Sequence, residues 1–235
     1  MKNIAVILAA GKGSRIGDTT PKQYMQVAGK MIIEHSIEAF ETHPDIDEIC
    51  IVVAAEYRDK IEALCRDNGY RKVGKIVEGG AERYASSLNA IRAYDGCDGQ
   101  ECNLIFHDAA RPLVSCRVIS EVVNALETNE AADVAVSATD TILIASPDGT
   151  IASIPLRATL WNSQTPQAFR LSLIRRAYEQ GMADPAFATT DDCGVVVRYC
   201  PETPIKIVEG DTFNIKLTYK DDLPQLERLF ALHRS

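Results

Sequence analysis

One stretch near the start of the chain constrains the fold more than any other. Ile4 to Ala10 form an uninterrupted apolar run, and Gly11 and Gly13 stand in the loop that follows. Such a run is typical of a strand that is buried on both faces inside a parallel sheet. The glycines then allow the backbone to turn sharply and to approach a ligand closely. The stretch therefore predicts an α/β fold in which the first loop lies at a binding site.

The same loop carries two cations, Arg15 and Lys22. Positive side chains and free backbone N–H groups together favour the binding of phosphates. The spacing matches neither the P-loop nor the dinucleotide fingerprint, because Ile16 stands where the fingerprint requires its third glycine. We therefore expect a phosphate-binding loop outside the hydride-transferring dehydrogenases, and an ordinary strand-to-helix turn is the alternative.

The composition limits the class of protein. The 235 residues suffice for one large α/β domain, so we expect a single domain over 1–235. The net charge of −8 argues against a general surface for nucleic acid or for anionic membranes. Seven cysteines without a C-x-x-C pair indicate reduced thiols in a cytoplasmic protein. The first apolar run has seven residues and ends in a cationic loop, which fits neither a membrane span nor a secretion signal.

Strand and helix patterns alternate from Ile4 to Ala138. Short apolar runs predict further strands at 48–54, 75–77, 103–106 and 133–138, and apolar residues at helical spacing predict helices at 31–40, 57–67, 82–94 and 118–126. Two more helices are predicted at 171–179 and 223–233, near the end of the chain. This alternation predicts a Rossmann-like, doubly wound, mostly parallel sheet, whose ligands bind beyond the carboxyl ends of the strands.

The alternation stops between Thr139 and Gln167. Residues at about 139–160 predict a β-hairpin that turns at Pro147–Gly149 and protrudes from the main sheet as an arm. The arm carries more isoleucine and leucine than a hairpin in water requires. Two explanations remain open, namely contact with a second subunit in a homodimer or packing on the same domain.

Three later stretches carry candidate site residues. Asp108 ends a predicted buried strand, where a carboxylate facing a cationic loop suits Mg²⁺, and capping of the turn before Pro112 or pairing with Arg111 are the alternatives. His107 beside it is expected to be packed in the core. Gly79 and Gly80 precede a helix whose first N–H groups suit a base edge or a phosphate, although a plain helix start has the same pattern. Lys216 joins the site only if the fold returns it to the first loop.

Several separated motifs occur in an order that resembles one family. They are LAAGKGSR with PKQY, EGG-x-x-R with Ser86, HDAARP, DT at 140–141, R-x-x-LW-x-x-QTPQ-x-F from Arg157 to Phe169, and NIK at 214–216. Together they cover nearly the whole chain and resemble the 2-C-methyl-D-erythritol 4-phosphate cytidylyltransferase family. The resemblance implies an enzyme that transfers the cytidylyl group of CTP to the phosphate of a polyol, with Mg²⁺, as a homodimer joined through the arm.

The resemblance also implies roles for individual residues. The catalytic residues, which would stabilise charge on the phosphates, are Arg15, Lys22 and Lys216. The nucleotide-binding set would be Ala9, Ala10, Gly11, Gly13, Gly80, Arg83, Ser86, Asp108 and Ala109. The polyol phosphate would contact Thr141 and Arg157 on the arm, together with Arg111 and Thr165, and whether the arm serves its own subunit or the partner is open. Mg²⁺ would bind Asp108, with Asp211 as a second ligand.

The identity of the acceptor is the main open alternative. A sister family makes CDP-ribitol from ribitol 5-phosphate with the same motif skeleton, and Ile154–Arg157 and Phe213–Lys216 resemble that family more closely. Ala9–Gly11 and Ala109–Arg111 resemble the methylerythritol enzymes instead. We favour methylerythritol phosphate as the acceptor. A non-catalytic sensor of CTP is the alternative from a different class of protein.

Overall fold

The computed structural model describes residues 1–11, 20–95 and 100–233. In these residues the strands are β1 (Lys2–Ala9), β2 (Gln26–Val27), β3 (Lys30–Met31), β4 (Glu48–Val53), β5 (Val73–Glu78), β6 (Cys102–Asp108), β7 (Ala131–Ser137), β8 (Ile144–Ala145), β9 (Ile151–Ser153), β10 (Trp161–Arg170) and β11 (Lys206–Glu209). The helices are α1 (Ile32–Glu41), α2 (Arg58–Asp67), α3 (Arg83–Ala93), α4 (Cys116–Thr128), α5 (Leu171–Ala183), α6 (Asp192–Tyr199) and α7 (Asp222–His233).

Seven of the strands form one sheet in the order β5, β4, β1, β6, β10, β7 and β11. The pairs that join β5, β4, β1 and β6 are parallel, and so is the pair of β7 with β11. β10 is antiparallel to both of its neighbours, β6 and β7. The predicted doubly wound, mostly parallel sheet is therefore confirmed, with β1 inside it between β4 and β6.

Side chains of β1 alternate between two cores. Ala5 and Ile7 pack in the core that also contains residues of α1, α2 and α4, whereas Ile4 and Val6 pack in the core with α3, α5 and α6. All four side chains are 1% exposed or less. Helices that cover both faces of the sheet leave no face for polar side chains, which is why the strand is apolar without interruption from Ile4 to Ala9.

In two helices near the site, the side chain of the residue before the helix accepts a hydrogen bond from a free backbone N–H group of the first turn. Ser115 accepts from the backbone N of Val118 at the start of α4 (3.2 Å), and Asp191 accepts from Gly194 at the start of α6 (2.8 Å). A cap of this kind contributes roughly 1 kcal/mol to helix stability. The second cap fixes the first turn of α6, which carries Asp192 towards the site.

The sequence patterns did not predict β10 and α6. The strand is rich in polar residues, of which Gln164, Thr165 and Gln167 are 7%, 3% and 1% exposed, so it lacks the apolar alternation of a strand. The helix has the sequence DCGVVVRY, in which glycine and three β-branched residues favour other conformations. Burial of Val195 and Val196 against the second core overrides that preference. The helices and strands of the main domain that were predicted are confirmed, and their ends differ from the predicted ones by at most four residues.

The predicted arm is confirmed as a hairpin that leaves the main sheet. β8 pairs antiparallel with β9, and Gly149 makes the turn at a φ of 83°. The backbone N of Ala138 donates to the oxygen of Leu160 (3.0 Å) and closes the base of the arm. Apolar side chains of the arm remain exposed, from 41% for Ile142 to 71% for Leu156. They are therefore not buried against the described part of their own domain.

Two expectations concern the environment of the chain. In residues 1–11, 20–95 and 100–233, no helix is both long and apolar enough to cross a membrane. The cysteines described there are free thiols, and Cys116 alone among these is exposed.

Candidate functional site

A cleft of about 380 Å³ opens at the carboxyl ends of β1 and β6. Its lining comes from the ends of these strands, the loop before α3, the chain before α6 and the chain after β11. The lining residues are Leu8, Ala9, Ala10, Gly11, Lys22, Gln23, Gly80, Ala81, Glu82, Arg83, Ser86, Asp108, Ala110, Thr190, Lys216 and Thr218. This is the edge at which doubly wound sheets bind ligands.

Gln23 fixes the exit of the chain from β1. Its side-chain amide donates to the backbone oxygens of Ala9 (2.6 Å) and Gly11 (2.9 Å), and the residue is 3% exposed. Buried carbonyl groups require such partners, because an unpaired one costs free energy. Gln23 belongs to the PKQY motif, so the motif supplies a residue that shapes the cleft as well as the cation Lys22.

The loop before α3 forms another wall and requires glycine at two positions. A Cβ atom on Gly79 would lie 2.1 Å from the Cβ of Ala10, and one on Gly80 would lie 2.3 Å from the Cβ of Ala85. Both positions therefore need glycine because of space. Ser86 accepts a hydrogen bond from the backbone N of Gly80 (3.1 Å) and holds the loop in this position.

Gly79→Ala is expected to lower the free energy of unfolding by about 1–3 kcal/mol, the usual cost of inserting a methyl group where none fits. In a chain of this size each 1 kcal/mol lowers the Tm by about 2–4 °C, which calorimetry can resolve. The double variant Gly79→Ala/Ala10→Gly removes the opposing Cβ and should recover most of the loss. Gly11→Ala is the control, because its Cβ would meet no described atom within 4 Å. Equal Tm losses in the single and double variants would contradict this account.

Asp108 lies at the centre of the charges in the cleft. Its carboxylate is 2.6 Å from Nζ of Lys216 and 3.5 Å from Nε of Arg83. Burial by itself would raise the pKa of Asp108, but the charges of Arg83 and Lys216 outweigh burial and hold the pKa well below its usual range. The carboxylate is therefore ionised at neutral pH and lies between two cations.

His107 and Thr165 support the backbone that carries Asp108. The ring of His107 is fully buried, with Nε2 at 2.9 Å from the backbone oxygen of Arg111 and Nδ1 at 3.0 Å from the hydroxyl of Thr165. That hydroxyl also accepts from the backbone N of Asp108 (3.2 Å). Burial lowers the pKa of His107 to about 4, so the ring is neutral at pH 7. The expectation that His107 is a packed core residue is confirmed, and Thr165 supports Asp108 from behind the cleft.

Lys22 and Lys216 reach the cleft from distant parts of the chain. Nζ of Lys22 donates to the backbone oxygen of Leu217 (2.7 Å), and the backbone N of Leu217 donates to Ala110 (2.9 Å). The fold thus returns Lys216 to the first loop, which was the condition for its place in the site. Together with Arg83 these lysines make the cleft cationic although the whole chain has a net charge of −8.

Arg111 and Asn214 join the loop after β6 to the chain after β11. Nη1 of Arg111 donates to the backbone oxygen of Asn214 (2.8 Å), and the side-chain amide of Asn214 donates to the backbone oxygen of Thr165 (3.0 Å). Asn214 is fully buried. These bonds place the NIK motif and therefore Lys216, while Arg111 itself is not among the residues that line the cleft.

Two predicted site residues are held elsewhere by their own hydrogen bonds. Ala109 is 1% exposed, since its backbone N donates to Leu8 and its backbone oxygen accepts from Ser36. Asp211 accepts from Arg117 (2.6 Å) at the start of α4. The structure therefore places Ala109 in the core and directs the carboxylate of Asp211 to α4, so neither lines the cleft.

The residues predicted to contact the acceptor from the arm lie outside the cleft of their own chain. Thr141 and Arg157 are both exposed, and Nη1 of Arg157 donates to the backbone oxygen of Thr139 at the base of the arm (3.2 Å). Gly13 and Arg15 lie outside the described residues.

The structure adds residues that the sequence analysis missed. Thr190 lines the cleft, and Asp192 pairs with Arg83 from behind it (2.7 Å). The signal in the sequence was the polar run TTDD at 189–192, directly before a valine-rich segment. Thr218 also lines the cleft and follows the NIK motif closely.

The fold and the cleft together define the class of protein as a nucleotidyltransferase. A glycine-lined cleft beyond the strand ends of a doubly wound sheet suits a nucleotide. Two lysines and an arginine around one carboxylate suit the transfer of a nucleotidyl group, because that reaction requires orientation and neutralisation of phosphate charge.

Comparisons with known proteins identify the family. The model of the 2-C-methyl-D-erythritol 4-phosphate cytidylyltransferase (IspD) family matches residues 3–231, and the chain belongs to this family. A protein of that name from Thermobifida fusca is 45% identical over 229 residues, which are 96% of this chain and 92% of the relative. The solved structure of 4-diphosphocytidyl-2C-methyl-D-erythritol synthase from Anaerococcus prevotii has a TM-score of 0.86 at 29% identity and covers 98% of both chains.

One relative combines this domain with another activity. The bifunctional ribulose 5-phosphate reductase/CDP-ribitol pyrophosphorylase of Haemophilus influenzae is 41% identical over 233 residues, which are 97% of this chain and 48% of that protein. The names of the first two proteins contain methylerythritol, whereas the name of the third contains ribitol.

Proposed function

We propose that this chain transfers the cytidylyl group of CTP to the phosphate of 2-C-methyl-D-erythritol 4-phosphate and releases pyrophosphate, a step of isoprenoid precursor synthesis. The observation that carries the proposal is the convergence of Lys22, Lys216 and Arg83 with Asp108 in one cleft. These groups can bind a triphosphate, and Gly80 and Ser86 line the same cleft, where we propose that the cytosine lies. Membership of the family supports CTP as the nucleotide and methylerythritol phosphate as the acceptor.

The proposed reaction requires no general base. An anionic oxygen of the acceptor phosphate attacks the α-phosphorus of CTP, a new P–O bond forms, and the bond to the bridging oxygen breaks with its electron pair on pyrophosphate. His107 is buried and neutral, with hydrogen bonds at both ring nitrogens, so it is not placed to accept a proton from substrate. Lys22 and Lys216 would orient the phosphates and stabilise the developing charge, and Arg15 is proposed for the same task.

Asp108 fits the Mg²⁺ that we propose as the cofactor. Its carboxylate is ionised at neutral pH and lines the cleft. In the part of the chain that the structure describes, no three His, Cys, Asp or Glu side chains form a metal centre. The remaining ligands would thus be water and phosphate oxygens, as is usual for Mg²⁺ at nucleotides. Bound Mg²⁺ supplies neutralisation of charge on the phosphate oxygens.

EDTA is expected to abolish turnover, and added Mg²⁺ is expected to restore it. Asp108→Asn should raise the Mg²⁺ concentration for half-maximal turnover by about tenfold or more, since losses of that size follow even from changes around a metal ligand. Asp211→Asn distinguishes the two candidate ligands, because Asp211 is paired with Arg117 and should leave the Mg²⁺ dependence unchanged. Turnover that persists in EDTA would refute the metal requirement.

The acceptor is tested by pyrophosphate release with CTP and Mg²⁺, in which methylerythritol 4-phosphate and ribitol 5-phosphate are compared. We expect the larger kcat/KM with methylerythritol 4-phosphate. Ribitol 5-phosphate is the second candidate because of the Haemophilus influenzae relative and because Ile154–Arg157 and Phe213–Lys216 resemble the family that makes CDP-ribitol. A preference for ribitol 5-phosphate would identify a CDP-ribitol synthase. Binding of CTP without turnover of either acceptor would favour the sensor.

A homodimer joined through the arm is proposed to complete the acceptor site. The apolar arm residues are exposed in the single chain, and a dimer interface of ordinary size would bury them. Thr141 and Arg157 lie on the same arm, so a partner subunit could receive both. Light scattering after size exclusion should give twice the mass of the chain, and a monomer with full activity would refute the proposal.

Arg157→Ala is expected to raise the KM for the acceptor by about tenfold or more while the KM for CTP changes little, because a charged hydrogen bond to one substrate is lost. A mixture with Lys216→Ala subunits tests where Arg157 acts. If Arg157 serves the partner's cleft, each mixed dimer contains one intact site, and mixing two weak variants restores activity. Mixing restores nothing if Arg157 serves its own chain.

We also propose a cytoplasmic location. The free thiols of the described cysteines are suited to a reducing compartment. Cell fractionation with an antibody against the chain tests this, and recovery in a secreted fraction would refute it.

A further inference from the structure

Arg83 is held from behind the cleft by a carboxylate that the proposed reaction does not use. Its Nη1 donates to Oδ2 of Asp192 at 2.7 Å, whereas its Nε lies 3.5 Å from Oδ1 of Asp108. The first contact is a short, charge-assisted hydrogen bond, and the second is too long for a strong one. The guanidinium is therefore anchored at Asp192 and only approaches Asp108.

Asp192 is itself rigidly fixed. It is fully buried, and its Oδ1 accepts from the hydroxyl of Tyr178 at 2.7 Å. Tyr178 is fully buried as well, and burial together with the charge of Asp192 raises its pKa, so the hydroxyl remains a donor. A buried carboxylate whose two oxygens both have partners has little freedom to move. Arg83 thus has a stationary anchor.

Gln167 connects this anchor to the strand that supports Asp108. Its side-chain oxygen accepts from the backbone N of Asp192 (3.1 Å), and its amide donates to Asp191 (2.9 Å). Gln167 and Thr165 are both on β10, and Thr165 holds the backbone of Asp108. One strand therefore positions both carboxylates that flank Arg83.

We propose that Asp192, fixed by Tyr178 and Gln167, is a positioning residue that prevents the guanidinium of Arg83 from closing onto Asp108 as a bidentate pair and keeps it directed along the cleft. The inference rests on the proposed function, because it takes the ligand to be a nucleotide triphosphate. Without Asp192, Asp108 would be the nearest carboxylate to Arg83, and a guanidinium and a carboxylate readily form a bidentate pair. Such a pair would occupy the oxygens of Asp108 and withdraw Arg83 from the phosphates.

Asp192→Asn is expected to raise the KM for CTP by about tenfold or more, within the range of coupling measured between groups in one network. The KM for the acceptor should not change, and kcat should fall less than the KM for CTP rises. Titration calorimetry without acceptor should show the same weakening of CTP binding, whichever polyol phosphate is the substrate. If Asp192 only stabilised the fold, the substitution would lower kcat and leave the KM for CTP unchanged, because a partly unfolded sample contains fewer active molecules.

Tyr178→Phe keeps the charges and removes one hydrogen bond, so it tests the proposal if Asp192→Asn does not fold. We expect a smaller rise in the KM for CTP in the same direction. The chain offers a matched control, because Asp184 accepts from Arg198 (2.6 Å) and from the hydroxyl of Tyr199 (2.7 Å) at the surface. Asp184→Asn should leave both KM values unchanged.

A double-variant cycle with Arg83→Met separates positioning from other effects. If Asp192 acts through Arg83, adding Asp192→Asn to Arg83→Met should change the KM for CTP by less than about twofold. If the two substitutions raise the KM for CTP by factors that multiply, the inference is overturned, while the proposed function remains intact. A wild-type protein that neither binds nor turns over CTP would refute the proposed function and the inference with it.

Discussion

Lys216→Met is expected to lower kcat by about 10²- to 10³-fold, the loss that follows removal of one donor aimed at developing charge. Nζ of Lys216 lies 2.6 Å from Asp108, and 37% of the side chain is exposed. In the proposed reaction negative charge develops on the oxygens around the α-phosphorus, and Lys216 lines the cleft in which they would lie. The KM for CTP should change less than kcat, because the lost interaction is strongest in the transition state.

The fold should tolerate this substitution. Asp108 retains Arg83 as a cationic partner, so the buried carboxylate is not left without an opposite charge. We expect the Tm to remain within about 4 °C of the wild type, which corresponds to about 1 kcal/mol in a chain of this size. Lys206→Met, at an exposed position of β11, is the matched control and should leave kcat unchanged. A kcat for Lys216→Met close to that of the wild type would remove Lys216 from the mechanism.

Lys22→Met is expected to cause a loss of kcat of similar size, about 10²- to 10³-fold. Lys22 lines the cleft and also donates to the backbone oxygen of Leu217 (2.7 Å), so it supports the segment that carries Lys216. Loss of that hydrogen bond should lower the free energy of unfolding by about 1 kcal/mol. Lys30→Met is the control, since Lys30 pairs with Glu38 away from the cleft (2.6 Å). A kcat that stays near the wild-type value would show that Lys22 is not required for charge stabilisation.

The two lysines are expected to act as one unit. Lys22 bonds to the residue that directly follows Lys216, so its removal also displaces Lys216. The loss in the double variant should therefore be smaller than the product of the single losses by about tenfold or more. Losses that multiply fully would show that the lysines contribute independently. Steady-state kcat values of the four proteins, measured at saturating CTP and Mg²⁺, suffice for the comparison.

The fold class could be predicted from the sequence because its strongest signals are local. β1 lies between two strands and under helices on both faces, so its residues from Ile4 to Ala9 are all apolar, and this run can be recognised in the sequence without knowledge of the neighbouring strands. The arm was predictable for a similar reason, because Pro147–Gly149 has the chemistry of a tight turn between two short apolar runs.

β10 and α6 were missed because their stability depends on distant contacts. β10 enters the sheet between β6 and β7 with buried polar side chains, and Gln167 among them bonds to Asp191 and Asp192. α6 is helical although its valines favour strands, since Val195 and Val196 are buried against α5 and the sheet. The pattern of neighbouring residues in the sequence predicts neither the buried polar strand nor the helix.

The sequence by itself determined the chemistry of the cleft. Its glycines and Asp108 stand next to predicted strand ends, and the carboxyl ends of parallel strands must lie at one edge of the sheet. Only the tertiary structure decided the partners of those side chains. It set Asp192 behind Arg83, directed Asp211 to Arg117 and buried Ala109 in the core. The physical reason is that a side chain's partners come from strands and helices far apart in the sequence, brought together by burial of both faces of the sheet.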